Sequence, residues 1–156
     1  MMYLGIIGCL VIVMGIFLGD SIIKMKIEQS TTLPRKILGG RAKLQKFHNP
    51  GMALGFGKGK QKVVALCSVL LVLLATAIFV MTLGTKGNVL LKVGLSLLLG
   101  GAFSNTYDRL KRKYVVDYLS FEVKWKRFAR IVFNISDFCI MGGALLICLS
   151  EILRTS

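Results

Sequence analysis

The sequence has little of what most metal-dependent and nucleophilic hydrolases use for catalysis. It contains one histidine, His48, and four cysteines that all fall in apolar runs without metal-ligand spacing. These features exclude a zinc site of the usual histidine and cysteine ligands. His48 is interpreted as a solvated loop residue and the thiols as small buried hydrophobic groups. Neither a G-x-S-x-G motif nor a phosphate-binding glycine loop of established spacing occurs, so no cofactor or metal is expected.

Acidic residues are also scarce. Only seven Asp and Glu residues oppose 21 Lys and Arg residues, which leaves a net charge of +14. Ten of the basic residues lie between positions 24 and 62, and eight lie between positions 109 and 130. No motif that interleaves these charges with aromatic residues is present, so nucleic acid is not an expected partner. Basic clusters beside apolar runs instead indicate anionic phospholipid headgroups as the partner.

Hydrophobic residues, by contrast, make up 54% of the chain and are gathered in long runs. A helix needs about 20 apolar residues to cross the hydrocarbon of a bilayer. Four runs approach or reach that length, at residues 2–19, 63–83, 89–107 and 131–149. The first run lacks the basic flank and the small-residue cleavage site of a signal peptide, so we predict that it is retained. The sequence therefore predicts a mainly α membrane protein, one domain over residues 1–156, built on a bundle of four transmembrane helices.

Two polar segments, residues 25–61 and 108–130, lie on one face of the predicted bundle because successive spans alternate in direction. The first segment contains Pro34, Pro50 and several glycines, a composition typical of short strands and turns. We therefore predict a small β structure there.

The second polar segment carries an aromatic stripe that two structures explain equally well. Its residues are spaced by three and four positions, which suits a short interfacial amphipathic helix: Tyr118, Phe121, Trp125 and Phe128. The alternation of Phe121, Val123 and Trp125 also suits a strand. In either case Trp125 is expected at the level of the lipid headgroups.

Polar and ionisable residues gather at the polar-segment end of three predicted spans. Such residues are unfavourable in a bilayer and therefore indicate a functional site. They are Asp20 and Lys24 after the first span, Asn105, Asp108 and Arg109 after the third, and Asn134 and Asp137 in the fourth.

Each of these groups also has a structural alternative. Asp20 and Lys24, four residues apart on one helix face, can form an ion pair. Arg109 can neutralise its neighbour Asp108. Asp137, in the first turns of a helix, can interact with the positive end of the helix dipole.

A pair of aspartates is the catalytic chemistry that remains. Two adjacent carboxyl groups do not both ionise near neutral pH, so one keeps a proton while the other activates a water molecule. The low dielectric at a membrane boundary increases the separation of their pKa values. Asp108 has the cation of Arg109 beside it, whereas Asp117 and Asp137 have apolar neighbours. We therefore identify Asp117 and Asp137 as the candidate pair.

Five short motifs follow one another along the chain. They are DSIIK at 20–24, NPGMALG at 49–55, GGAFSNTYDR at 100–109, VVDYLSF at 115–121 and FNISD at 133–137. In this order they resemble the motifs of the bacterial lipoprotein signal peptidases, the type II signal peptidases. The family patterns are approximately D-x-x-x-K, N-x-G-x-A-[aromatic]-G, G-G-A-x-G-N-x-x-D-R, V-V-D-F and F-N-x-A-D.

The departures from these patterns are mild. Ser104 stands where glycine is usual, Leu54 where an aromatic residue is usual, and Ser136 where alanine is usual. All the carboxylates, asparagines and basic residues of the motifs are present, so the departures bear on substrate fit.

The resemblance implies an intramembrane aspartyl endopeptidase of the bacterial cytoplasmic membrane. Such an enzyme removes the signal peptide of a prolipoprotein by cutting before a diacylglyceryl-modified cysteine. It implies a β structure over residues 25–61 at the extracytoplasmic face, and a monomer is expected. Asp117 and Asp137 would be catalytic. The residues that would shape the site and contact substrate are Asp20, Lys24, Asn49, Gly51, Asn105, Asp108, Arg109 and Asn134.

The basic segments conflict with this orientation. The positive-inside rule would place both of them in the cytoplasm, whereas the family places its active-site segments outside. Because five ordered motifs outweigh a statistical bias, we expect the outward orientation. Two other functions are considered: a small proton-coupled transporter, which would have ionisable residues across the whole bilayer, and an inactive lipid-binding relative, which would lack an aspartate.

Overall fold

The computed structural model describes residues 2–51, 59–85, 87–125 and 128–155. Its helices are α1 (Met2–Gln29), α2 (Gln61–Leu83), α3 (Val89–Arg112) and α4 (Ile135–Thr155). Each is long and apolar enough to cross a membrane. The predicted fold class, a mainly α protein with four candidate membrane spans and a small β structure, is confirmed.

Helix α3 lies at the centre of the bundle and packs against the other three helices. Half of its most apolar stretch is buried within the chain, against 17% for each of the others. Glycines permit the close approach: a Cβ at Gly100 would lie 2.8 Å from the Cβ of Ile16 on α1, and one at Gly101 would overlap the carbonyl oxygen of Ser136 on α4. The outer faces of α1, α2 and α4 expose large apolar side chains, as expected where lipid is the solvent.

Two helices extend beyond the apolar runs of the sequence. Helix α1 continues to Gln29, because Asp20 and Lys24 are paired inside the protein and Ile27 packs against Val116 and Tyr118. Helix α3 continues to Arg112 and ends where Lys113 adopts a left-handed conformation, φ 69°. Left-handed residues commonly terminate helices.

The polar segments form one antiparallel sheet. Its strands are β1 (Arg35–Ile37), β2 (Ala42–Asn49) and β3 (Val115–Phe121), in that order. A one-turn 3₁₀ helix, Leu38–Gly40, joins β1 to β2. Strand β2 shifts register between Leu44 and Phe47. The β structure predicted for the first polar segment is present, while residues 52–58, with Leu54, lie outside the described residues.

The aromatic stripe of the second polar segment is not one continuous helix. Tyr118 and Phe121 belong to β3, and a short 3₁₀ helix follows at Phe128–Arg130. The β-branched pair Val115 and Val116, both buried, favours the strand. Lys126 and Arg127 lie outside the described part of the chain.

The cysteines are free thiols, but only Cys9 is buried within the chain. Cys67 and Cys139 are half-buried, and Cys148 is exposed on α4. The prediction of four buried thiols is therefore wrong for the chain itself, because no other described residues cover the outer faces of these helices.

Candidate active site

The first turn of α4 places Asp137 through a reciprocal pair of hydrogen bonds with Asn134. The Asp137 amide donates to Asn134 Oδ1 at 2.9 Å, and the Asn134 amide donates to Asp137 Oδ2 at 3.0 Å. This is the capping-box arrangement, in which the residue before a helix and the third residue of the helix satisfy one another's backbone N–H groups. Asp137 is therefore held at the positive end of the helix, as predicted.

Strand β3 presents Asp117 to two asparagine amides. Asn134 Nδ2 donates to Asp117 Oδ1 at 2.7 Å, and Asn49 Nδ2, from the end of β2, donates to Asp117 Oδ2 at 3.0 Å. Asp117 is buried, with only 3% of the residue exposed. Both oxygens of the Asp117 carboxyl group thus accept hydrogen bonds from side-chain amides in a buried setting.

The two predicted carboxylates belong to one hydrogen-bond network. Asn134 binds Asp117 through its side chain and Asp137 through its backbone. Asn105, on α3, donates to Asp137 Oδ1 at 2.9 Å and accepts from Asn134 Nδ2 at 3.2 Å. Side chains from four elements, α3, α4, β2 and β3, therefore converge on the pair.

Burial, and after it the negative charge of Asp137, raise the pKa of Asp117 from 3.8 to about 7. Hydrogen bonds from Asn49 and Asn134 and the positive charge of Lys24 oppose this shift. A carboxyl group with this pKa exchanges its proton near neutral pH, which is what a general acid or base requires.

Lys24 forms a buried ionic cluster next to this network. Its ammonium group lies 2.8 Å from Asp20 Oδ2 and 3.2 Å from Asp108 Oδ2. It also donates to Asn105 Oδ1 at 2.8 Å and to Ser104 Oγ at 3.0 Å. With a residue exposure of 1%, this charge is stable only because two carboxylates and two neutral acceptors surround it. The predicted Asp20–Lys24 ion pair is present.

Asp108 does not pair with its neighbour Arg109. Its close cations are Lys24 and Arg112, the latter at 3.5 Å, and its Oδ2 accepts the Val116 amide at 3.2 Å. That last contact fixes the start of β3 against α3. The alternative that Arg109 merely neutralises Asp108 is therefore wrong.

Arg109 is directed toward the aspartate pair instead. Its NH2 group donates to the carbonyl oxygen of Gly51 and its NH1 group to that of Asn105, both at 3.3 Å. The positive charge of Arg109 interacts most strongly with Asp117, less with Asp137 and least with Asp108. Gly51 is positioned in turn by its amide, which donates to Asn49 Oδ1 at 3.0 Å.

Three hydroxyl groups of the site were not identified from the sequence. Ser104 and Ser136 both donate to Asp20 Oδ2, and Tyr118 donates to Asp20 Oδ1 at 2.8 Å. Tyr118 also accepts the Ile135 amide at 3.0 Å, and its burial beside Asp20 raises its pKa. All three residues differ from the family patterns, which have Gly, Ala and Phe at positions 104, 136 and 118, and this is the signal that would have singled them out.

His48 lies outside the site. It is on the opposite face of β2 from Asn49, where its Nε2 is 2.8 Å from Glu28 Oε1 and its ring stacks on Tyr114 at 4.1 Å. It is therefore a partnered surface residue rather than a free one. Among the residues described, no three His, Cys, Asp or Glu side chains are grouped as a metal site.

Comparison with known proteins identifies the family of this chain. The family model for Signal peptidase (SPase) II matches residues 12–153. A lipoprotein signal peptidase of Caldicellulosiruptor bescii is 34% identical over 139 residues, covering 88% of this chain and 85% of the relative. A lipoprotein signal peptidase of Moorella thermoacetica is 32% identical over 131 residues, covering 84% of this chain and 81% of the relative.

Solved structures show the same fold. Two structures described as bacterial membrane enzymes, determined by the in meso method, superpose with TM-scores of 0.81 and 0.76 at 22% and 21% identity. The first alignment covers 96% of this chain and 90% of the other, and the second covers 92% of each. The family match decides against the transporter alternative. The chain belongs to the signal peptidase II family and is a multi-pass membrane aspartic peptidase.

Proposed function

We propose that Asp117 and Asp137 are the catalytic pair that removes the signal peptide from a diacylglyceryl-modified prolipoprotein, by cutting before the modified cysteine. The observation that carries the proposal is the position of Asn134, which binds both carboxylates at the start of a membrane-spanning helix. A signal peptide is an apolar segment, so its cleavage site reaches this boundary when the segment lies in the bilayer.

The reaction uses a single proton shared by the two carboxyl groups. The ionised carboxylate takes a proton from a water molecule, and the water oxygen forms a bond to the scissile carbonyl carbon. The protonated carboxyl group gives its proton to the carbonyl oxygen. In the second step the C–N bond of the tetrahedral intermediate breaks as one carboxyl group gives its proton to the leaving nitrogen. The other carboxylate takes a proton from a hydroxyl group of the intermediate, which yields the new carboxylic acid and leaves one proton on the pair. The pKa of Asp117, about 7, allows it to hold the shared proton near neutral pH.

Arg109, Asn49 and Gly51 are proposed to bind the substrate backbone. They lie together where β2 ends beside Asp117. Arg109 Nε is buried and has no hydrogen-bond partner among the described residues, so it can donate to a substrate carbonyl or to the developing oxyanion.

The ionic cluster is proposed to position the catalytic pair rather than to react. Asp20, Lys24 and Asp108 join α1, α3 and β3. Lys24 also holds Asn105, whose amide binds Asp137. A shift of this cluster would therefore move the pair.

Cleavage of a diacylglyceryl prolipoprotein by the purified protein tests the assignment. We expect Asp117→Asn and Asp137→Asn to lower kcat by about 10²- to 10⁴-fold. Glu151→Gln, a matched change of an exposed carboxylate at the other end of α4, should leave the rate unchanged. Mass spectrometry of the products locates the cut. Wild-type activity of either aspartate variant would exclude the catalytic pair.

We further propose that the site faces the extracytoplasmic side of the bacterial cytoplasmic membrane and acts within one protomer, beside anionic phospholipid. The clustering of 18 of 21 basic residues in two segments at this face supports the lipid contact. A cysteine at Ser30, just beyond α1, tests the orientation by labelling with an impermeant thiol reagent in intact cells. The wild-type chain gives the background from its own cysteines. No labelling at position 30 would exclude the outward orientation.

A further inference from the structure

The turn between β1 and β2 exposes a leucine in an unfavourable backbone conformation. Leu38 has φ 51° and is 70% exposed, and the two glycines after it also have positive φ. A branched side chain is rarely found in the left-handed region. Neither packing within the chain nor backbone preference therefore explains a leucine at this tip.

A second exposed apolar group lies beside this turn. The Glu122 amide donates to the Arg41 carbonyl oxygen at 2.9 Å, so the segment after β3 runs next to the end of the turn. That segment carries Val123, 43% exposed, and Trp125, 80% exposed. We call Leu38, Val123, Trp125 and the basic residues around them the hairpin-loop surface.

The hairpin-loop surface lies at the level where α4 enters the membrane. Phe121, at the end of β3, contacts the ring of Phe138 at a centroid distance of 6.2 Å, in a nearly perpendicular arrangement. Phe138 belongs to the first turns of α4 and is 38% exposed on the bundle. Because Ala42 pairs with Phe121, the tip of the hairpin is close to this boundary.

The surface is strongly basic. Exposed cations surround the apolar side chains: Arg35, Lys36, Arg41, Lys124 and Arg130. The one acid in the segment after β3 is Glu122. An apolar tip ringed by cations is complementary to an anionic lipid surface, where the apolar groups enter the interface and the cations meet phosphates.

We propose that the hairpin-loop surface docks on the anionic bilayer surface, with Leu38 and Trp125 inserted at the headgroup level. Docking holds β2 and β3, and with them Asn49 and Asp117, against the membrane in which the substrate's signal peptide lies. The inference does not depend on which carboxyl groups are catalytic.

Trp125 allows a direct test because it is the only tryptophan in the chain. The full protein is reconstituted in phosphatidylcholine vesicles with and without phosphatidylglycerol, and with lipids brominated near the headgroup end of the acyl chains. We expect a blue-shifted emission that brominated lipid quenches, with stronger quenching when phosphatidylglycerol is present. The proposal would be overturned if Trp125 emits as a water-exposed tryptophan does, and if acrylamide quenches this emission while brominated lipid does not.

Leu38→Asn and two charge-reversal variants identify the groups responsible. Leu38→Asn suits the left-handed backbone and should reduce the lipid quenching of Trp125. Lys36→Glu with Arg41→Glu should reduce it in phosphatidylglycerol vesicles, whereas Lys62→Glu, an exposed cation on α2, should not. Equal effects of Lys62→Glu and the double variant would refute specific docking. Emission that responds to prolipoprotein but not to lipid would show a substrate surface instead, and would likewise refute it. Thermal unfolding in detergent, measured in parallel, verifies that the variants are folded.

Discussion

Substitution of Asn134 separates two tasks that this residue combines. Its side chain is fully buried, and its amide nitrogen donates to Asp117 at 2.7 Å and to Asn105 at 3.2 Å, while Oδ1 caps α4 by accepting the Asp137 amide. Asn134→Asp preserves the size of the side chain and the capping oxygen, removes both N–H donors and places a third carboxyl group beside Asp117 and Asp137. The variant therefore keeps α4 capped while it withdraws support from Asp117.

The expected effect follows from the hydrogen bond that is lost. A hydrogen bond to a charged group contributes about 1.5–3 kcal/mol. Since each 1.36 kcal/mol of activation free energy is a factor of ten, loss of the hydrogen bond alone should lower kcat/KM about ten- to 150-fold, and the added carboxyl group should lower it further. The Asn134 hydrogen bond is also one of the contacts that lower the pKa of Asp117, so its loss raises that pKa above about 7. The alkaline limb of the pH–rate profile, where the pair loses its proton, should move to higher pH.

Asn88 provides the matched control for this measurement. It caps α3 as Asn134 caps α4, with Oδ1 accepting the Leu91 amide at 3.2 Å, at the other end of the bundle. Asn88→Asp should leave both kcat/KM and the alkaline limb unchanged in the prolipoprotein cleavage assay. The reasoning is refuted if Asn134→Asp behaves like Asn88→Asp, with a wild-type rate and an unshifted profile.

Three further predictions concern stability, measured by thermal unfolding in detergent. The pKa of Asp117 is raised from 3.8 to about 7 on folding, so the unfolded chain binds fewer protons between these values and stability falls as pH rises from 4 to 7. The free energy of unfolding should fall by at most about 4 kcal/mol over this range, and Asp117→Asn should abolish this part of its pH dependence. Gly101→Ala, which overlaps the Ser136 carbonyl, should destabilise by about 1–3 kcal/mol, whereas Gly142→Ala meets open space and should not. Ser104→Ala and Ser136→Ala should each lower the free energy of unfolding by about 1.5–3 kcal/mol. Because both hydroxyl groups donate to Asp20 Oδ2, the two losses should not add in the double variant, and full additivity would contradict this shared contact.

The helices were predictable because the bilayer imposes a simple requirement on length and apolarity. The ends of the helices were less predictable. Asp20 and Lys24 looked like the boundary of α1, yet the helix continues because the two charges pair with one another and Lys24 donates to Asn105 of α3 inside the protein. Composition alone does not reveal that a charge is neutralised by residues some 80 positions away. The second polar segment was ambiguous for a different reason, since its aromatic residues fit the periods of both a helix and a strand.

The candidate pair was predictable from the apolar neighbours of Asp117 and Asp137, but its supporting contacts were not. Sequence spacing placed Asn134 and Asp137 on one helix turn, whereas the contact of Asn134 with Asp117 depends on how β3 meets α4. The hydroxyl groups around Asp20 come from α3, β3 and α4, elements brought together only by folding. Local patterns identify which residues are unusual, and the tertiary structure decides which of them meet.

The charge balance of the site explains why so basic a chain contains its few aspartates. All four aspartates lie in this one cluster with three cations: Asp20, Asp108, Asp117, Asp137, Lys24, Arg109 and Arg112. Four carboxylates and three cations leave one negative charge, and a single proton on the proposed catalytic pair makes the cluster neutral. Removing that proton would leave an uncompensated charge in a buried site, which is unfavourable at low dielectric. The neighbouring cations thus limit the pair to one proton, while burial prevents it from losing that proton much below pH 7.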